Sequence, residues 1–441
     1  MLKYVFPKIL AFAVFPIAIY SYQRFTLFPL GSTAIWWFIQ TMVLMVLVAA
    51  RFLYFEAENK RNFLIVDMFV AWIVFSLIRG IFMAENYWDY KSLVERIFDL
   101  LIIVVVYVAS NKERLQYILS FFVKYVLPFS LILAIYQGAF KSRGMFLFPV
   151  SFLILFVPGL KIHWKLILIF ITLIVFFDGI TTGTRSFILK FGVPVILLLL
   201  YYTRFFIAFD NIVKNTHLVL IIAPWLLFVL GVFGIFNVFK IDEYLKIDYV
   251  AETTTAEGVV KTQEITEDSR TFIYTEVLQS AKKYNYWILG RSPARGNETV
   301  AFAGFFEEIS GRNERYKNEA NVPNIFTWMG IIGVLLYFLV FLKASMLAIY
   351  RSNNTYSKLL GLFVAARWAY AWVEDYSSFG MNDFTIWFMI GACLSESFRK
   401  MNNVEVKLWA RGIFESRYVK YMKYIEKDFP ENYAQIKSIQ F

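Results

Sequence analysis

The stretch Thr216-His-Leu-Val-Leu-Ile-Ile-Ala-Pro-Trp-Leu-Leu-Phe-Val-Leu-Gly-Val-Phe-Gly-Ile-Phe-Asn-Val238 contains no Asp, Glu, Lys or Arg. About 20 consecutive apolar residues cross the hydrocarbon core of a bilayer as a helix. The run therefore predicts a membrane span over 216–238. Directly after it the character changes, because residues 239–323 are hydrophilic and open with Lys240-Ile-Asp-Glu-Tyr244.

Upstream and downstream the same apolar runs recur. They predict helices near 3–20, 33–51, 63–83, 95–110, 115–138, 145–160, 164–180, 186–203, 216–238, 324–345, 357–374 and 383–398. The fold class expected is an all-α polytopic membrane protein. It has about twelve transmembrane helices and one large loop between spans nine and ten. Residues 1–238 carry spans one to nine, 239–323 the loop, 324–398 spans ten to twelve, and 399–441 an amphipathic basic tail. The first span has no small-residue cleavage site after it and reads as a retained anchor. No internal repeat is evident.

Composition agrees. Of 441 residues, 59% are hydrophobic and 17% charged, against about 45–50% and about 25% in soluble domains. The mean hydropathy is +0.57. These values exclude a soluble enzyme, a disordered chain and a nucleic-acid-binding domain, despite a net charge of +11. A single cysteine, Cys393, and two histidines, His163 and His217, leave no cysteine or histidine metal cluster. No metal or cofactor is called for. The phosphate loop, the dinucleotide-binding glycine motif and the HExxH motif are absent, so ATP hydrolysis is not expected.

Charge placement gives orientation. Arg51, Lys60 and Arg61, then Lys112 and Arg114, Lys161 and Lys165, Arg204 and Lys214, Lys343, Arg351 and Lys358, and Arg399 and Lys400 all fall on one side. The positive-inside rule makes that side cytoplasmic. Both termini are then cytoplasmic and the 239–323 loop faces outward.

Within the loop, Thr253-Thr-Thr255 reads as irregular. Residues 268–281, from Asp268-Ser-Arg270, read as an amphipathic helix capped by Asp268 or Ser269. Gly290-Arg-Ser-Pro-Ala-Arg-Gly296 is a turn, and Phe305-Phe-Glu-Glu-Ile309 a short helix. In the tail, Trp409, Ile413, Phe414 and Tyr418 recur at helical spacing among basic residues. That pattern fits a helix on anionic lipid or one packed on the protein's own cytoplasmic face.

Arginines mark the outward side. Arg185 stands at the outer end of span eight, Arg270 opens the loop helix, Arg291 and Arg295 lie in the glycine turn, and Arg312 and Arg315 precede span ten. A planar guanidinium binds two phosphate oxygens at once. The alternative for each is solvated charge paired with the loop's carboxylates. Glu319, at the membrane boundary beside them, is a candidate general base if partly desolvated, or else simply an arginine partner. Arg367 lies near the middle of span eleven, where ionisable residues are rare and face a cavity or a partner. Glu374, Asp375, Asp383 and Lys124 could line a cavity or lock helices. Asp67 and Asp99 read as structural.

Three patterns occur in order. They are Thr182-Gly-Thr-Arg185-Ser, then Asp268-Ser-Arg270 with a helix and Trp287-Ile-Leu-Gly290, then Glu319 leading to Gly330-Ile-Ile-Gly333. With the large outer loop they resemble the O-antigen ligase/polymerase family of bacterial envelope glycosyltransferases. The ligase pattern places His-Asn where this chain has Glu319-Ala320, so the chain looks more like the polymerase branch. The resemblance implies a GT-C-like fold in the bacterial cytoplasmic (inner) membrane with its active site facing the periplasm. It implies metal-independent, inverting transfer of undecaprenyl-diphosphate-linked oligosaccharide onto a second lipid-linked repeat. Glu319 and Arg270 would be catalytic. Arg185, Arg291, Arg295, Arg312, Arg315 and Arg367 would bind diphosphate or sugar. Membrane lipids are the surroundings, and a chain-length regulator is a candidate further partner. The alternatives are a ligase transferring glycan to lipid A core, and a lipid-glycan transporter or flippase.

Overall fold

A computed structural model describes residues 2–23, 31–55, 59–136, 143–181, 185–240, 250–254, 260–264, 270–301 and 303–421, with 431 and 434–435. It is predominantly helical. Among the described residues, seven helices are long and apolar enough to cross a membrane: Thr33–Tyr54, Lys60–Met83, Lys112–Ile132, Ile162–Thr181, Ser186–Thr203, Phe209–Val232 and Asn321–Tyr350. Val5–Ser21 and Met381–Leu394 are shorter apolar helices. This is the make-up of an all-α multi-pass membrane protein.

The spans pack in a way the bilayer dictates. Lipid-facing residues stay apolar and exposed, as Phe38, Leu64, Phe82, Phe170 and Leu199 do. The interior is aromatic: Trp328 and Trp368 are fully buried. Trp225 packs against both Trp368 and Trp372 at 5.7 and 5.1 Å between centroids. Offset and edge contacts of this kind add on the order of 1 kcal/mol each beyond area.

Of the twelve spans expected, 95–110, 145–160 and 357–374 are not among these helices, and two readings change in form. The helix expected over 145–160 is instead three short pieces, Arg143–Phe146, Pro149–Ile154 and Val157–Gly159. Pro149 and Pro158 lack the N–H that a continuous helix requires, and each starts a new turn. The Thr-rich stretch expected to be irregular pairs as a strand, Val250–Thr254, against Val260–Glu264 in antiparallel register. Its β-branched residues suit a pleated strand.

The tail is settled over 403–414. Helix Asn403–Phe414 packs on the protein, with Trp409 tilted against Phe156 and edge-on to Phe398. The Trp409 indole donates to the Lys112 carbonyl at 2.9 Å, and Arg411 donates to the Gly159 carbonyl at 2.7 Å. The lipid-facing alternative does not hold there.

The helix Asn321–Tyr350 is broken at Gly330, whose φ is +66°. The loop segment Trp287–Gly290 lies against the break. The Ile331 amide donates to the Trp287 carbonyl at 2.9 Å. Arg79 donates to the Leu289 and Gly290 carbonyls, both at 2.6 Å. A Cβ on Gly330 would stand 2.1 Å from the Ile288 oxygen, and one on Gly290, also at positive φ, 2.4 Å from the Gly330 nitrogen. Only two glycines let these backbones meet.

Candidate functional site

The arginines of the loop and of the helices beside it separate into two groups. The first is a closed ion lattice. Arg291 donates to Glu314 at 2.8 Å and to the Gly296 carbonyl at 2.8 Å. Arg295 holds the same carboxylate in a fork at 2.6 and 3.1 Å and reaches Glu85 at 3.2 Å. Arg312 bridges Asp89 at 3.0 Å and Glu85 at 2.5 Å. Three guanidiniums thus meet three carboxylates, Glu85, Asp89 and Glu314. The hydrogen bonds to Glu314 hold Arg295 above its ordinary pKa. These arginines pin the loop to the turn before helix Tyr87–Leu101, the pairing with carboxylates that was weighed for them as the alternative to diphosphate.

The second group surrounds the junction into the kinked helix. Arg270 is the N-cap residue of helix Thr271–Tyr284. It donates to the Val373 carbonyl at 2.9 Å and pairs with Glu319. Arg315 approaches the other Glu319 oxygen at 3.4 Å. Burial pushes the Arg315 pKa down, opposed by Glu319. Asp268 and Ser269, the expected caps, lie outside the described residues. Glu319 is 57% exposed, so the desolvation expected of a base is missing in this state. Its backbone is fixed: the Asp375 amide donates to the Glu319 carbonyl at 2.7 Å, and Asn324 bonds Asn318 and Asp375.

Arg367 lies one step inward. It occupies the last turn of helix Thr355–Tyr370, on the loop side rather than near mid-span. The residue is 3% exposed. Phe148, Tyr370 and Tyr376 surround its guanidinium at 5.0, 5.1 and 4.8 Å. Its Nε and Nη2 have no hydrogen-bond partner among the described residues. Three ring faces supply on the order of 1–2 kcal/mol each when desolvated. That roughly offsets the few kcal/mol that a cation costs at membrane depth. It does not satisfy these two N–H donors, which have no partner among the described residues.

Sequence reasoning missed Lys190 and Lys317. Lys190 is 1% exposed inside Arg185–Thr203 and pairs with Glu374 at 2.6 Å. A lone lysine within an apolar run was the available signal. Lys317 pairs with Asp375 at 2.9 Å and lies 3.6 Å from Asp99. Asp99 also pairs with Arg96 at 2.8 Å, the structural role expected of it. Asp67 likewise pairs with Arg51 at 2.8 Å. Asp383 accepts from the Ser378 amide at 2.8 Å. Arg185 opens its helix, but its side chain and Thr182-Gly-Thr184 lie outside the described residues.

No protein-family model, curated protein or solved structure matches the chain. The site therefore has to be read from its own chemistry.

An apolar cavity of about 430 Å³ adjoins the second group. It runs between helix Phe209–Val232 and helix Thr271–Tyr284, with Leu227, Phe228, Tyr274, Leu278, Trp372 and Val373 among its walls. Burial raises the Tyr274 pKa, so the phenol stays neutral. Since Arg270 precedes Thr271 and bonds Val373, both in the wall, a guanidinium stands at the cavity's edge.

Proposed function

We propose that this protein is a bacterial inner-membrane glycosyltransferase that polymerises undecaprenyl-diphosphate-linked O-antigen repeat units. In this reading about twelve helices span the membrane and the 239–323 loop faces the periplasm. The observation that carries the reading is Arg367, a buried guanidinium without a carboxylate partner among the described residues. The apolar cavity beside Arg270 supports it, because a ligand with a long apolar tail and an anionic head meets both needs.

The acceptor hydroxyl attacks the anomeric carbon of the donor glycan. The bond from that carbon to the diphosphate oxygen breaks, with inversion. Negative charge grows on the leaving lipid diphosphate, and Arg367 and Arg270 stabilise it in a low-dielectric site. Glu319 takes the hydroxyl proton. Substrate phosphate competes with Glu319 for Arg270, which releases the carboxylate for that role. The sequence resemblance to the ligase/polymerase family favours the polymerase over other uses of a lipid diphosphate.

A surface-polysaccharide gel from a deletion strain and its complemented control tests the assignment. The expected result is loss of the long-chain ladder with retention of core plus one repeat. Loss of the single-repeat band as well would favour the ligase, and an unchanged ladder would contradict both.

A further inference from the structure

A second cavity lies on the opposite, basic face, remote from the arginines described above. It measures about 630 Å³ and is formed by helix Leu2–Phe12, helix Lys112–Phe121 with the turn that follows it, and the tail after Phe414. Lys8, Arg114, Lys124 and Lys420 line it, and Glu113 is the one carboxylate among its lining residues.

Other cations on this face have found carboxylates. Lys161 pairs with Glu415 at 3.0 Å, Lys358 with Asp210 at 2.6 Å, and Lys400 with Glu396 at 2.6 Å. Among the described residues Lys8, Arg114, Lys124 and Lys420 make no ion pair. Arg114 instead stacks over Tyr54 at 4.1 Å. Four like charges gathered round one cavity repel one another, and a bound anion relieves that repulsion.

The cavity is built rather than accidental. Lys124 sits in a π-helical turn, Phe122–Val126, inside an otherwise α-helical span. Such turns are rare and concentrate at functional sites. The tail is locked alongside, since Gln116 donates to the Trp409 carbonyl at 2.6 Å. A Cβ on Gly412 would meet Gln116 Nε2 at 2.3 Å. Tyr117 and Tyr125 are exposed at the rim, as interfacial tyrosines are. Pro7, Phe121 and Val419 add apolar wall.

The geometry points to a phospholipid site: this cavity binds the phosphodiester headgroup of an anionic phospholipid from the adjoining leaflet. That leaflet is the cytoplasmic one if the positive-inside rule holds. Basic pockets between transmembrane helices on that side suit such headgroups. A free phosphate shares the anion chemistry but lacks the acyl chains that the span Lys112–Ile132 would meet.

The test uses the full-length protein in detergent, reloaded with phosphatidylglycerol or phosphatidylcholine and examined by native mass spectrometry. The expected result is one phosphatidylglycerol retained in preference to phosphatidylcholine. The triple variant Lys8→Gln, Lys124→Gln, Lys420→Gln should bind it about tenfold or more weakly. A control with equal charge loss elsewhere on the face, Lys60→Gln, Lys165→Gln, Lys400→Gln, should bind like the parent. Equal retention of both lipids, an unaffected triple variant, or equal weakening in the control would overturn the proposal. Displacement by inorganic phosphate at the lipid's own affinity would assign the site to a soluble anion and overturn the lipid assignment. The readout is binding alone, so it stands or falls independently of the glycosyltransferase reading.

Discussion

Four arginines of the loop and of the helices beside it behave in two ways. Arg291, Arg295 and Arg312 are consumed by Glu314, Glu85 and Asp89. Arg367 sits deeper, without a carboxylate partner among the described residues, held by aromatic rings. The balanced group holds the loop in place, and the unbalanced residue faces an unmet demand for anion. Cation number alone says little about binding; what decides it is whether the protein already supplies the counter-charge.

The sharpest break of this comparison is Glu314→Ala. It leaves Arg291 and Arg295 buried without their shared carboxylate. Removing one partner of a buried pair costs about 3–5 kcal/mol. The folded protein should largely disappear from membranes, measured by level and thermal unfolding. A stable Glu314→Ala protein would dissolve the distinction between the groups.

Next in size is Arg367→Met, which keeps an unbranched stem and removes the charged guanidinium. Transfer should fall about 10²–10³-fold, as when a preorganised donor to a developing oxyanion is lost. Thermal stability should be unchanged or higher, because a buried unpaired charge has been removed. A drop in stability with activity per folded molecule intact would move Arg367 into the structural group.

Glu319→Gln keeps the shape and removes the base. The expected loss in rate is about 10²-fold with normal insertion. Full activity in a properly inserted Glu319→Gln protein would exclude the carboxylate from proton transfer. The smallest effect on transfer per folded molecule is expected at the glycine contact, where the cost falls on folding. Gly330→Ala places a Cβ at φ +66° against the Ile288 oxygen. At this φ with ψ −169°, a region open essentially to glycine, an L side chain costs about 1–3 kcal/mol before any clash is counted. The unfolding temperature should drop while the pairing of Arg291 with Glu314 persists.

Much of the fold was legible because the bilayer imposes a simple rule on sequence. Long uncharged runs such as 216–238 must be helical, and the helix observed there is Phe209–Val232. The amphipathic period of 268–281 located helix Thr271–Tyr284, and 305–309 fell within helix Ala303–Ser310. The 145–160 run misled because apolar content outweighed two prolines that were in plain view.

The site was less legible, for a different reason. Arg312 and Asp89 are 223 positions apart, and Lys190 and Glu374 are 184 apart. No local spacing encodes such pairs. Residue type said which side chains could hold phosphate, but only the packing shows that three are already engaged. Arg367 was visible as an ionisable residue in an apolar run; its aromatic enclosure was not.

The account turns on whether Arg367 holds the anionic head of a lipid. The direct measurement is binding of undecaprenyl diphosphate to purified full-length protein and to Arg367→Met, matched for folding. The expected result is an affinity weakened by about a hundredfold in the variant. Equal affinity would contradict the central claim and leave Arg367 as a structural cation among rings.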